Sequence, residues 1–220
     1  DNALNVSTTA SNNTAVGYNA LVATTTGANN AALGAASLAA NTTGTGNVAM
    51  GQAALYAATT ADYNTALGYN ALAANTTGGS NVAIGPYALD ANTTASDNVA
   101  VGRHSLGTNV TGTQNTSGTQ NVAVGAQALA ANTTAANNTA VGYRASYTAA
   151  GASAQNTAVG MSALYTNNGG EYNTALGYYS MQGATTGDYN TAIGASTMVA
   201  ANTGTYNVAV GYLALTANTG

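Results

Sequence analysis

The pentapeptide Asn-x-Ala-[Val/Leu/Ile/Met]-Gly recurs along this chain at nearly constant spacing. Copies begin at Asn13, Asn30, Asn47, Asn64, Asn81, Asn98, Asn121, Asn138, Asn156, Asn173, Asn190 and Asn207. The steps between them are 17, 17, 17, 17, 17, 23, 17, 18, 17, 17 and 17 residues. A short fixed period marks a stacked array in which each unit contacts only its neighbours. It also replicates most positions, and a replicated position rarely holds a unique catalytic group.

The unit starting at Asn13 runs from position one (Asn13) to position seventeen (Asn29). Positions two to four, as in Thr14-Ala15-Val16 and Val82-Ala83-Ile84, are rich in β-branched residues and predict a short strand that Gly ends. A second short strand is expected over positions seven to ten, around Ala20-Leu21. Runs such as Asn41-Thr42-Thr43-Gly44 and Asn75-Thr76-Thr77-Gly78 have turn composition. No stripe of spacing three and four exists, so helices are excluded. Parallel stacking at ~4.8 Å per rung is the economical solution, giving an array on the order of 55–60 Å long.

Stacking places equal positions above one another. The twelve position-one asparagines, Asn13 to Asn207, are therefore expected to form a ladder of side-chain amides. Gly at position five marks a tight turn or close approach. Ala at position three marks a place with no room for more. The aliphatic residue at position four and Leu at position nine are read as two apolar core columns. Two such side chains per rung supply roughly 3–6 kcal/mol. Ordering the rung costs at least that, at roughly 1–2 kcal/mol per residue. A lone coil so thin predicts a homo-oligomer.

The expected fold is all-β: a parallel β-solenoid of stacked 17-residue rungs forming one array over residues 1–220, with a loop insertion at 107–120. The insertion absorbs the 23-residue step and repeats its own sequence, Gly112-Thr113-Gln114-Asn115 and Gly118-Thr119-Gln120-Asn121. A tolerated surface loop is the plain account. The 18-residue step coincides with Ser146 in place of Leu and predicts a bulged rung. The chain begins and stops within a repeat, which reads as an excerpt of a longer array.

Composition narrows function by exclusion. Only 4% of residues are charged, and Arg103 and Arg144 are the sole Lys or Arg. Nucleic acid as a partner is excluded on that count. There is no cysteine, hence no disulfide framework and no thiolate metal site. No apolar stretch reaches the roughly 18–20 residues of a membrane span, and no signal peptide is visible. No catalytic, cofactor-binding or metal-binding residues are assigned. Arg103 and His104, beside Asp90 and Asp97, form the one mixed cluster and read as a solvated group. Scattered carboxylates argue against a lyase or hydrolase.

Tyr18, Tyr69, Tyr143, Tyr178 and Tyr212 recur at position six, and Tyr63, Tyr172, Tyr189 and Tyr206 at position seventeen. Two readings stay open: surface contact with sugars or other chains, and stacking between rungs. Asn41, Asn75, Asn92 and Asn132 match the glycosylation acceptor pattern, although their Asn-Thr-Thr runs are already accounted for as turns.

Asn-Thr-Ala-Val-Gly and Asn-Val-Ala-Ile-Gly resemble the repeat of the YadA-type head of trimeric autotransporter adhesins. The longer unit Asn64-Thr65-Ala66-Leu67-Gly68-Tyr69-Asn70-Ala71-Leu72 is similar to repeats of bacterial and phage-like tail-fibre proteins. The resemblance covers essentially the whole chain, although the adhesin-head unit is usually shorter. It implies a left-handed β-roll, a homotrimer, a bacterial-surface or extracellular location, and adhesion or fibre-shaft function without catalysis. Self-association is the expected partnership, with end-to-end filaments, surface glycans or a host receptor as further candidates. The alternative reading is a Thr-array ice-binding solenoid, opposed by the adjacency of the Thr pairs, which sends one of each pair away.

Overall fold

The computed structural model describes residues 2–6, 8–107, 118–149, 153–183, 185–200 and 203–217. Most of the expected insertion, residues 108–117, lies outside these. Fourteen strands are present among the described residues: β1 (Thr14–Val16), β2 (Ala31–Leu33), β3 (Val48–Met50), β4 (Thr65–Leu67), β5 (Val82–Ile84), β6 (Val99–Val101), β7 (Val122–Val124), β8 (Thr139–Val141), β9 (Thr148–Ala149), β10 (Thr157–Val159), β11 (Thr166–Asn167), β12 (Thr174–Leu176), β13 (Thr191–Ile193) and β14 (Val208–Val210). Twelve form one parallel sheet in chain order, and β9 pairs with β11 in a second, two-stranded one. The molecule is an all-β solenoid with one turn per repeat.

The register follows the period. Thr65 pairs with Val82, Ala66 with Ala83 and Leu67 with Ile84, and equal positions face each other in the same way at every step. The register holds across the 23-residue step, where Ala100 pairs with Ala123, and across the 18-residue step, where Ala140 pairs with Ala158. Extra residues are therefore taken up away from the strands.

Position three faces inward: Ala66, Ala83, Ala100 and Ala123 are fully buried. Position nine supplies the large core side chains, with Leu21, Leu38, Leu55, Leu72, Leu89, Leu129 and Leu164 fully enclosed. Position eight is buried beside it, as at Ala71 and Ala88. The interior is narrow, with two small residues and one Leu per rung, the Leu replaced by Ser146, Met181 and Met198 on three rungs.

Two expectations are corrected here. The aliphatic residues at position four do not join the core. Val16, Leu33, Met50, Leu67, Ile84, Leu176, Ile193 and Val210 are exposed, because in a strand positions two and four point opposite to the buried Ala at three.

Nor is there a strand over positions seven to ten. Residues at positions seven and nine take left-handed conformations instead, as at Asn70 (φ 52°) and Leu72 (φ 54°). The Ala71 N–H bonds back to the Gly68 carbonyl at 3.3 Å, and the Leu72 N–H reaches the next rung at Ala88, 2.9 Å away. A strand would send positions eight and nine to opposite faces, whereas this paired turn drops both inside. The left-handed Leu costs roughly 1–2 kcal/mol. Full burial of its side chain, at roughly 1.5–3 kcal/mol, offsets that.

Gly at position five precedes this corner. Gly68 has φ +140°, and a Cβ there would lie 2.7 Å from the Gly85 carbonyl carbon of the next rung. Only Gly allows the rungs to stack so closely at this point.

Candidate interaction surfaces

The position-one asparagines line the interior edge of the sheet. At each step the backbone N–H of one Asn donates to Oδ1 of the Asn one rung earlier, as from Asn81 to Asn64 (3.0 Å), Asn98 to Asn81 (3.0 Å) and Asn121 to Asn98 (3.0 Å). The same donation joins Asn30 to Asn13, Asn47 to Asn30, Asn64 to Asn47, Asn138 to Asn121, Asn156 to Asn138, Asn173 to Asn156, Asn190 to Asn173 and Asn207 to Asn190. Several side-chain amides follow the same path, including Asn81 Nδ2 to Asn64 Oδ1 at 3.1 Å. A second bond from Nδ2 crosses the rung to the position-fifteen carbonyl, as from Asn64 to Gly78 at 3.0 Å. These groups are internal and offer nothing to a ligand.

Sequence reasoning missed a second buried Asn column at position twelve. Asn41, Asn75, Asn92 and Asn167 are fully enclosed, and Asn132 nearly so. Each donates Nδ2 to the carbonyl three residues on, for example Asn75 to Gly78 at 2.8 Å and Asn132 to Ala135 at 2.9 Å. Four of these residues are the sequon asparagines, so the folded array leaves them no room for a glycan. The signal was there in the recurrence of Asn before Thr-Thr, but turn composition masked it.

The outer face of the sheet carries positions two and four. Position four makes an apolar stripe along the array, flanked at position two by Val or Ala on six rungs and Thr on the other six: Leu33, Val48, Met50, Leu67, Ile84, Leu176 and Ile193 are all exposed, while Val101, Val124, Val141 and Val159 are half-buried. Its residues stay exposed or half-buried among the described residues.

The tyrosines separate into two behaviours. At position seventeen, Tyr172, Tyr189 and Tyr206 stack face to face, with centroids 4.7 and 5.0 Å apart and planes within 3° and 5°. Both faces of Tyr189 are occupied, whereas Tyr172 and Tyr206 each have one face in the stack. At position six, Tyr18, Tyr69, Tyr143, Tyr178 and Tyr212 are exposed and do not form a continuous stack. Small residues such as Ala35, Pro86, Ala126 and Ala195 occupy position six on rungs beside them.

The Arg103–His104 cluster is looser than its sequence spacing suggests. His104 stacks on Tyr87 at 4.8 Å with planes 4° apart, and Tyr87 meets Tyr69 edge-on at 5.2 Å. Burial, and then the Arg103 charge, lowers the His104 pKa below its ordinary value. Asp97 sits at position seventeen, across strand β6 from Arg103. Among the described residues there is no group of metal-ligating side chains, no helix long and apolar enough to cross a membrane, and no pocket.

No family model, curated protein or solved structure matches the chain. Its functional reading therefore rests on these surfaces.

Proposed function

We propose that the chain is a segment of a structural fibre or adhesin shaft, extracellular or at a bacterial surface, that works by self-association without catalysis. The outward apolar stripe carries this reading. Burying one half-exposed aliphatic side chain gives about 1 kcal/mol, whereas association costs roughly 4–15 kcal/mol in lost freedom. One rung cannot meet that cost, but a stripe that recurs on every rung can. Its knobs are spaced by the rung repeat of ~4.8 Å. Another copy of the same array has a matching spacing, so the fitting partner is the chain itself. The YadA-type resemblance makes a trimer the arrangement of choice, with filaments built by end-to-end stacking as its extension.

The ice-binding alternative loses support from the threonines. Position-thirteen hydroxyls turn to the backbone of the next rung, as Thr25 to Thr42 (3.1 Å), Thr42 to Thr59 (3.0 Å) and Thr76 to Thr93 (3.0 Å). One hydroxyl of such a pair is thus engaged within the array.

Light scattering tests the proposal. The expected mass is a small multiple of 21.3 kDa, and Leu67→Asp combined with Ile84→Asp should dissociate the assembly with an unchanged circular dichroism spectrum. A wild-type chain that stays monomeric at high concentration would refute it.

A further inference from the structure

Charge is segregated along this array. The acids are Asp1, Asp62, Asp90, Asp97, Glu171 and Asp188, whereas the stretch from Asn98 to Gly170 has none and holds both arginines and the histidine. Within that stretch Arg144 is held in place. Its guanidinium carbon lies 5.0 Å from the Tyr143 ring centroid and 5.3 Å from that of Tyr147. Its Nε donates to Gln127 Oε1 at 2.7 Å. Tyr147 is in turn stacked on Tyr165, 5.2 Å away. Among the described residues no carboxylate pairs with Arg144, although the chain as a whole is acidic, with net charge -4.

We propose that this corner of the array, Arg103, Gln127, Tyr143, Arg144, Tyr147 and Tyr165, binds a carboxylated saccharide, with Arg144 as the anchor. A fixed guanidinium fork presents two parallel donors, which is the geometry a carboxylate accepts. Fixing it in advance by two rings and an amide removes much of the ordering cost of binding. Phenol faces carry partial negative charge and suit the weakly positive C–H face of a pyranose ring; the faces to be used are those of Tyr143 and Tyr165 turned away from Arg144 and Tyr147. Arg103 stands two rungs from Arg144, ~9.6 Å along the axis from the rung spacing, which places a second cation within reach of a further acidic sugar unit. Two cations on an acidic chain are too few for a nucleic acid. The nearest described acid on this corner, Asp90, lies three rungs from Arg144. The site sits around the edge from the apolar stripe and stands whether or not the stripe self-associates.

Calorimetric titration of the full chain tests this with oligogalacturonate, sialyllactose, neutral cellohexaose and a short DNA duplex. Either acidic saccharide should bind, and which of the two binds identifies the source of the carboxylate. Affinity should fall about tenfold in Arg144→Gln, the loss of one charge-assisted contact, and should weaken with salt. Gln127→Ala, which keeps the charge but frees the side chain, should give a smaller loss. Absence of acidic-saccharide binding at millimolar ligand overturns the proposal. So does equal binding of cellohexaose, tighter binding of the duplex, or full affinity in a folded Arg144→Gln variant.

Discussion

On the rung that begins at Asn81, two buried amides reach the same carbonyl. Asn81 Nδ2 donates to Ala95 at 2.9 Å, and Asn92 Nδ2 donates to it at 3.0 Å. The Asn81 bond staples the strand side of the rung to its turn side, whereas the Asn92 bond closes the turn on itself, and their oxygens differ as well. Asn81 Oδ1 accepts the backbone N–H of Asn98, whereas Asn92 Oδ1 is buried without a partner among the described residues. The strand-side column is unbroken along the array. The turn-side column has Thr24 and Ala58 among its asparagines. The difference teaches what makes a repeat position invariant. A buried main-chain donor must find an acceptor; the strand-side Asn supplies one at every step, whereas in the turn-side column Asn167 does so, for the Gly170 N–H of its own turn at 2.9 Å.

Asn81→Ala should break the comparison most strongly. It leaves the Asn98 N–H buried without an acceptor and removes the donation to Asn64. A loss of about 2–4 kcal/mol is expected. Because rungs can open locally in such arrays, hydrogen exchange at the Asn98 amide reads the effect more directly than a melting curve. A loss below about 1 kcal/mol would erase the distinction between the columns.

Asn75→Ala probes the turn side and should cost about 1 kcal/mol. Gly78 keeps its bond from Asn64, and Asn92 loses one partner at Asn75 but keeps Ala95. The reverse change, Ala58→Asn, should gain about 0.5–1 kcal/mol by adding a second amide to the Ala61 carbonyl, which now accepts from Asn47 alone among the described side chains. Denaturant titration of both variants, with opposite signs expected, separates an optional column from an essential one.

The stacking register was legible in the sequence because a fixed period leaves one way to align equal positions. Which aliphatic column faces inward is not evident from the sequence. Positions two and four are both apolar in rungs such as Val82-Ala83-Ile84, so alternation looked like a core face. The invariant Ala between them was the inward signal, since the bore admits no larger side chain there. The left-handed corner at Asn70 and Leu72 was not legible either. A branched residue at positive φ runs against local preference, and it is held by cross-rung bonds that exist only after stacking. Of the candidate binding corner, Arg103 and the exposed tyrosines were visible. The bracing of Arg144 by Gln127, one rung earlier, depends on stacking and was not.

The smallest expected effect is a mass that stays the same at four sites. Asn41, Asn75, Asn92 and Asn132 carry the acceptor pattern but are buried, with side-chain nitrogens bonded to carbonyls of their own turns. Asn137, followed by Asn138 and Thr139, carries the same pattern at an exposed position. A glycan at Asn75 would have to occupy the interior, so a chain modified there before folding cannot close that rung. Secretion through a glycosylating host should therefore yield folded protein with glycan at Asn137 and none at the four turn-side sites, read by peptide mass mapping. Substantial occupancy of Asn75 in folded material would mean that the turn side opens independently of the strand side, and the two columns would then belong to separate units of stability.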